Sequence, residues 1–285
     1  MQRLLIDSVR AWKEYVGRQS AIVNGASGRM LRFIRNRRRK RYRETPFPSE
    51  WLAFIERNVP LFLRLPSADR QELLGHIQVF MAEKHFEGCG GLEITDEIRV
   101  TIAAQACLLL LHRRTDYYPL LSSILVYPGM YKVPVSFETP EGIVEEELDE
   151  RIGETWARGS VVLSWEDIMS DAADIEDGLN VTIHEFAHQL DEENGDANGT
   201  PLLEDPGRYP EWGRVMNKAY AKLQRDVRKG RPAFLDEYGA TDPAEFFAVV
   251  TECFFEQPSE LRQEYPELYE QLKYCFRQDP VEYHR

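Results

Sequence analysis

The sequence predicts an α+β protein that is mostly helical, with a small mixed β-sheet directly before one motif-bearing helix. Apolar residues recur every three or four positions in both outer parts of the chain, as they do in amphipathic helices. Between about residues 121 and 165, short β-branched and aromatic runs end at proline or glycine, which is typical of strands. The segment His184-Glu185-Phe186-Ala187-His188 follows these strands and carries the strongest chemical signal.

The helical elements before the sheet have clear starts. Helices are predicted from Ser49 and from Ser67, because serine is a good helix N-cap. A third helix follows Thr95 and runs to about Leu111. It is apolar on nearly every side, so we expect it in the centre of the core.

The later elements follow from the same rules. Asp242, Pro243 and Glu245 occupy the N-cap, first and third positions of a helix, which is a well-formed helix start. The predicted strands are 124–127, 133–137 and 160–165, and the predicted later helices are 181–191, 211–229, 243–256 and 259–276.

Charge divides the chain into two regions. Residues 1–45 carry 13 Lys and Arg against 3 acidic residues, a net +10, so residues 46–285 carry −23. Residues 1–45 are interpreted as a basic segment, partly disordered or amphipathic, which suits an anionic membrane surface. A nucleic-acid partner is disfavoured because the acidic body repels phosphate.

Residues 46–285 form the expected domain. It has a helical lobe over about 46–120 and a second lobe, which contains the sheet and the active site, over about 121–285.

The four cysteines are scattered and form no C-x-x-C pair, which predicts neither a disulfide framework nor a cysteine zinc site. This usage suits a reducing compartment. No apolar stretch approaches the ~20 residues of a membrane span, and no secretory signal is evident. A cytoplasmic location is therefore expected, including a peripheral position at the inner membrane face.

His184 and His188 are four residues apart, so a helix brings both to one face, where both can reach one metal ion. Glu185 is adjacent to that face and is placed to take a proton from a water molecule at the metal. Two histidines leave a third ligand to be found.

Several residues compete for that third position. Asn194 occupies the place where a third histidine would stand, which excludes that pattern. Asp191 or Asp196 could serve, although Asp191 suits better the role of a carboxylate that fixes a histidine tautomer. Glu245 and Glu252 lie seven residues apart on one helix and share a face. Spacing does not choose between them, since Glu245 also suits helix capping and Glu252 a solvated face.

Two long segments resemble a known family. They are residues 180–191 with 194–196, and residues 238–249. They resemble the Mlc titration factor A family of zinc metallopeptidases, a zincin branch similar at the active site to the catalytic domain of anthrax lethal factor. The resemblance extends from about Pro46 to the C-terminus.

The resemblance implies a role for five residues. His184, His188 and Glu245 are the implied ligands of one Zn²⁺ per chain, Glu185 the implied catalytic base, and Tyr238 the implied oxyanion partner. The implied activity is zinc-dependent hydrolysis of peptides or proteins, and this includes aminopeptidase activity. Strand 160–165 is expected to pair with an extended substrate. The family name also implies an alternative, a regulatory protein that sequesters a transcriptional repressor and in which the zinc site is secondary.

Overall fold

The computed structural model describes residues 26–129, 131–138, 144–151, 153–154 and 159–283. Residues 1–25 of the predicted basic segment lie outside the described residues. The described chain is mostly helical, with a small sheet, as the sequence predicts. The helices are α1 (Ala26–Glu44), α2 (Ser49–Asn58), α3 (Pro60–Arg64), α4 (Ser67–Glu83), α5 (Asp96–Leu108), α6 (Trp165–Asp171), α7 (Val181–Asp191), α8 (Tyr209–Arg228), α9 (Pro243–Glu256), α10 (Pro258–Glu264) and α11 (Pro266–Phe276).

The main sheet is mixed and has the strand order β1-β2-β6-β5. Its first three strands are parallel and β5 is antiparallel to β6. A separate antiparallel hairpin is formed by β3 and β4. The strands are β1 (His85–Gly88), β2 (Ser123–Tyr127), β3 (Tyr131–Glu138), β4 (Val144–Arg151), β5 (Gly153–Glu154) and β6 (Ser160–Ser164). The sheet therefore leads through α6 to α7, the helix that contains the His-Glu-x-x-His motif.

Helix α5 lies in the centre of the core, as its composition predicts. Every residue from Val100 to Leu108 is buried, and Thr95 caps the helix by accepting a hydrogen bond from the Ile98 N–H. Helix α5 packs against α4, α2 and the motif helix α7. One apolar core consequently runs through both expected lobes.

Part of the basic segment, residues 26–44, forms a helix that is folded onto the domain. Arg39 is buried and donates hydrogen bonds to the carboxylates of Glu83 and Asp116. Gly75 in α4 allows the close approach, because a Cβ there would lie 3.3 Å from Cγ of Arg43. Helix α1 is thus attached to the body mainly through charged side chains.

One local prediction is wrong, and one strand was not predicted. A single helix was expected over residues 259–276, but α10 and α11 are separate helices, because Pro266 lacks an N–H donor and biases the preceding Tyr265 away from helical geometry. Strand β1 was not predicted, because its four residues show no apolar alternation.

No helix within the described ranges is long and apolar enough to cross a membrane.

Candidate metal centre

The motif helix α7 is fixed at its start and along one side. Asn180 is the N-cap, and its side chain accepts a hydrogen bond from the Ile183 N–H at 2.9 Å. Asp171 accepts the Val181 N–H at 2.9 Å. The apolar residues on one side of the helix are buried, namely Ile183, Phe186, Ala187 and Leu190. The opposite face can then present polar side chains to the space beside the core.

Helix α9 forms the facing wall and packs closely against α7. Asp242 caps it, as predicted, by accepting the N–H groups of Ala244 at 2.8 Å and Glu245 at 3.0 Å. Because Asp242 satisfies these donors, the Glu245 side chain is free to point at α7. Helix capping therefore does not explain the direction in which the Glu245 side chain points.

Three side chains meet between the two helices. The Nε2 atoms of His184 and His188 are 3.2 Å apart, and Oε2 of Glu245 lies 3.0 Å from the first and 3.4 Å from the second. Two ligands of a tetrahedral zinc ion, each at 2.0–2.1 Å, are about 3.3 Å from each other. The triangle of donor atoms thus has the dimensions of such a site, and its two imidazoles and one carboxylate are a donor set that could hold a metal ion.

The charges at this triangle favour a cation. Burial alone would lower the pKa of His184, but hydrogen bonds with Glu245 and Glu252 raise it to about 10. Burial would raise the pKa of Glu245, yet its hydrogen bonds with both histidines hold that pKa far below its usual range. The carboxylates thus stabilise positive charge at Nε2 of His184. A metal ion would bind to this atom in place of the proton, together with the other two donor atoms.

Glu252 orients the first histidine. Its Oε2 is 2.9 Å from Nδ1 of His184, and its Oε1 accepts the Asn180 N–H at 2.8 Å. As a carboxylate it accepts the Nδ1–H, which leaves Nε2 of His184 directed at the other two donor atoms. Glu252 is 5% exposed, so it does not lie on a solvated face. Of the two competing glutamates, Glu245 lies at the triangle and Glu252 lies behind it.

Glu185 is buried beside the triangle, and its Oε2 has no hydrogen-bond partner among the described residues. Burial raises its pKa, an effect that the nearby histidines oppose. A buried carboxylate without a partner is costly in a purely structural role and is typical of a group that exchanges protons.

Tyr238 reaches the site from a short 3₁₀ turn, Glu237–Ala240, that precedes α9. Its ring centroid is 6.0 Å from that of His184, and burial together with the charge of Glu245 raises its pKa to about 12. A Cβ on the next residue, Gly239, would lie 3.2 Å from Cβ of Val249, so glycine allows the turn to pack on α9. Tyr238 therefore keeps its proton at neutral pH and can donate it in a hydrogen bond.

Asp191 does not fix a histidine tautomer. Its two oxygens accept the backbone N–H groups of Gly199 and Thr200, both at 2.6 Å, so the carboxylate holds the loop that follows α7. Asp196, the other aspartate considered as a ligand, is exposed and lies outside the triangle. The predicted role of Asp191 belongs to Glu252, which sequence reasoning left as a competing ligand.

The strand expected to pair with substrate is largely covered. β6 lies between β2 and β5, and β5 pairs with its outer edge at Val162 and Leu163. The expectation that β6 offers a free edge is therefore wrong for these two residues.

Comparisons with known proteins are consistent with a metal centre at this site. The family model of the glucose-regulated metallo-peptidase M90 matches residues 33–277. The chain belongs to this family. The M90 match begins thirteen residues before Pro46, where the sequence resemblance begins, and so includes most of α1.

Several proteins are similar to the chain over most of their length. An uncharacterized protein of Synechocystis sp. is 42% identical over 242 residues, which cover 84% of this chain and 88% of that protein. Mlc titration factor A of Klebsiella pneumoniae subsp. pneumoniae is 34% identical over 227 residues, covering 78% and 84%. Mlc titration factor A of Salmonella arizonae is 31% identical over 236 residues, covering 81% and 92%. The predicted resemblance to the Mlc titration factor A family is confirmed.

Proposed function

We propose that this protein is a zinc-dependent peptidase whose metal ligands are His184, His188 and Glu245. The observation that carries the proposal is the triangle of donor atoms, with sides of 3.0, 3.2 and 3.4 Å. Beside it lies the buried Glu185, whose Oε2 has no hydrogen-bond partner in the part of the chain that the structure describes. Membership of a metallopeptidase family supports it. The mixed sheet that leads into the motif helix is consistent with a zincin-like fold, which we propose for the domain.

Zinc bound to three protein ligands would supply Lewis acidity, which makes water acidic near neutral pH and polarises a carbonyl group. Glu185 accepts the proton of the attacking water and later delivers it to the leaving amine. Its raised pKa suits the first step, since a stronger base takes a proton from water more readily. Tyr238 donates a hydrogen bond to the oxygen of the tetrahedral intermediate. Glu252 keeps the imidazole of His184 in one orientation.

The decisive variant is Glu185→Gln. It preserves the size of the side chain and removes its basicity, so peptidase activity should fall by about 10²–10⁴-fold. Zinc content should be unchanged, because Glu185 is not at the triangle. Glu260→Gln, an exposed glutamate in α10, is the matched control and should retain full activity. Full activity in Glu185→Gln would contradict the mechanism.

A second candidate function is binding of a transcriptional repressor. It is favoured by the relatives named Mlc titration factor A, whose similarity covers 78–81% of this chain. If binding is independent of catalysis, Glu185→Gln should bind purified repressor as tightly as the wild type. If repressor binding is lost when a chelator removes zinc, this function instead depends on the metal centre.

A further inference from the structure

Helix α1 presents an apolar surface that nothing in the described residues covers. Met30, Leu31, Phe33 and Ile34 are 59%, 69%, 63% and 55% exposed. They are half of the eight large apolar side chains that are strongly exposed in the described chain, and they fall within five consecutive residues. Single exposed apolar residues need no explanation, but a cluster of this kind marks an interaction surface.

The same face of α1 is basic over its second half. Met30, Ile34, Arg37 and Arg41 are spaced by three or four residues, so they line one side of the helix. Arg37 and Arg41 are exposed. The outward face thus changes from apolar to positive along the helix, and Glu44 is the only acidic residue in α1.

The inward face holds α1 in a fixed orientation. Arg35 and Arg39, one turn apart, both pair with Asp116, and Arg39 also pairs with Glu83. The Arg39 guanidinium lies 4.7 Å from the ring centroid of Tyr117. Because the charged contacts face the body, the apolar side chains are directed away from it.

We propose that the outward face of α1 is a docking surface for an anionic lipid bilayer. Apolar side chains can enter the boundary between headgroups and acyl chains while arginines meet the lipid phosphates. Residues 46–285 carry −23, so an anionic bilayer attracts α1 and repels the body, which orients the protein.

Charge argues against the other occupants of this surface. A second copy would place one strongly positive α1 against another. Residues 1–25 are themselves net positive, with four Lys or Arg against two acidic residues, and so would not neutralise the arginines. Nucleic acid would match the charge, but its phosphates offer no contact for four apolar side chains.

The test is sedimentation of the full-length protein with vesicles of phosphatidylcholine alone or mixed with phosphatidylserine. The wild type should bind the mixed vesicles, bind neutral vesicles far more weakly, and dissociate as salt rises. Phe33→Ser with Ile34→Ser should weaken binding about tenfold or more, because these side chains no longer enter the bilayer. Arg37→Gln with Arg41→Gln should weaken it about tenfold.

Matched controls separate this surface from general effects. Leu63→Ser with Leu120→Ser removes two exposed apolar side chains elsewhere. Arg225→Gln with Lys229→Gln removes two exposed positive charges, one in the last turn of α8 and one directly after it. Both should bind like the wild type. All variants should keep the wild-type circular dichroism and zinc content.

The proposal is overturned if the wild type binds neither vesicle, binds both equally, or binds unchanged after the Phe33 and Ile34 substitutions. It is also overturned if light scattering shows a dimer that becomes a monomer in that variant, since the face would then join two copies. Binding to duplex DNA without binding to vesicles would assign the surface to nucleic acid instead.

Discussion

Two clusters of buried charge differ in how they are balanced. At the junction of α1 and α4, Arg39 meets the carboxylates of Glu83 and Asp116, and each member has partners of opposite charge. Between α7 and α9, the carboxyl groups of Glu185, Glu245, Glu252 and Glu256 stand against two histidines. Balanced charge suits a structural contact, whereas an excess of buried carboxyl groups over basic groups suits a cation and proton transfer.

The largest effect on stability is expected from breaking the balanced cluster. Arg39→Met should lower the free energy of unfolding by about 3–5 kcal/mol, because it leaves Glu83, which is 12% exposed, without its main partner. Urea denaturation measures this value. Arg38→Met is the matched control, since Arg38 pairs with the same carboxylate at 3.3 Å but is 51% exposed, and it should cost less than about 1 kcal/mol. If both variants lower the free energy of unfolding equally, the buried ion pair contributes no more to stability than the exposed one, which would contradict this prediction.

An intermediate effect is expected from Glu252→Gln in the unbalanced cluster. The amide can keep the hydrogen bond from Asn180 through its oxygen, but its NH₂ group cannot accept the Nδ1–H of His184. Zinc affinity should fall about 10–100-fold, as measured by competition with a chelator. Glu260→Gln should leave the affinity unchanged. If Glu252→Gln binds zinc as tightly as the wild type, Glu252 does not orient the ligand.

A third effect is expected from Glu256→Gln, and it depends on pH. Burial raises the pKa of Glu256 from 4.5 to about 9, although its hydrogen bond from Asn180 opposes the shift. Between these values the folded state holds a proton that the unfolded state has released, so stability falls as pH rises through this window. Glutamine stays neutral and keeps the acceptor for Asn180.

Glu256→Gln should therefore lose less stability than the wild type from about pH 5 to about pH 9, by at most about 1.4 kcal/mol for each pH unit. Urea denaturation across this range, under identical metal conditions, measures the difference. Parallel stability curves for the two proteins would show that Glu256 does not titrate in this way.

The elements of the site could be predicted because they depend on local sequence. The four-residue spacing of His184 and His188 and the caps Asn180 and Asp242 follow from helix geometry alone. The third donor could not be derived in this way. Glu245 and Glu252 share one face of α9, and which of them lies at the triangle depends on how two helices that are distant in sequence pack. The family resemblance implied Glu245, but not the contact of Glu252 with His184.

Two features that the sequence did not reveal also depend on contacts between distant parts of the chain. Arg39 appears as one of several similar residues in a basic run, and its burial depends on Glu83 and Asp116, which are 44 and 77 residues away. The edge of β6 is covered by β5, a strand of only two residues with no recognisable pattern. The break at Pro266 is different, since a proline within a helical pattern was already visible in the sequence.

The central claim is that His184, His188 and Glu245 hold one zinc ion, and metal analysis tests it most directly. Protein purified without added metal is dialysed, and its zinc is measured by mass spectrometry beside His188→Ala. The account predicts one zinc per chain in the wild type and loss of that zinc in the variant. A wild-type protein that takes up no zinc even when it is supplied, or equal zinc in both proteins, would contradict it.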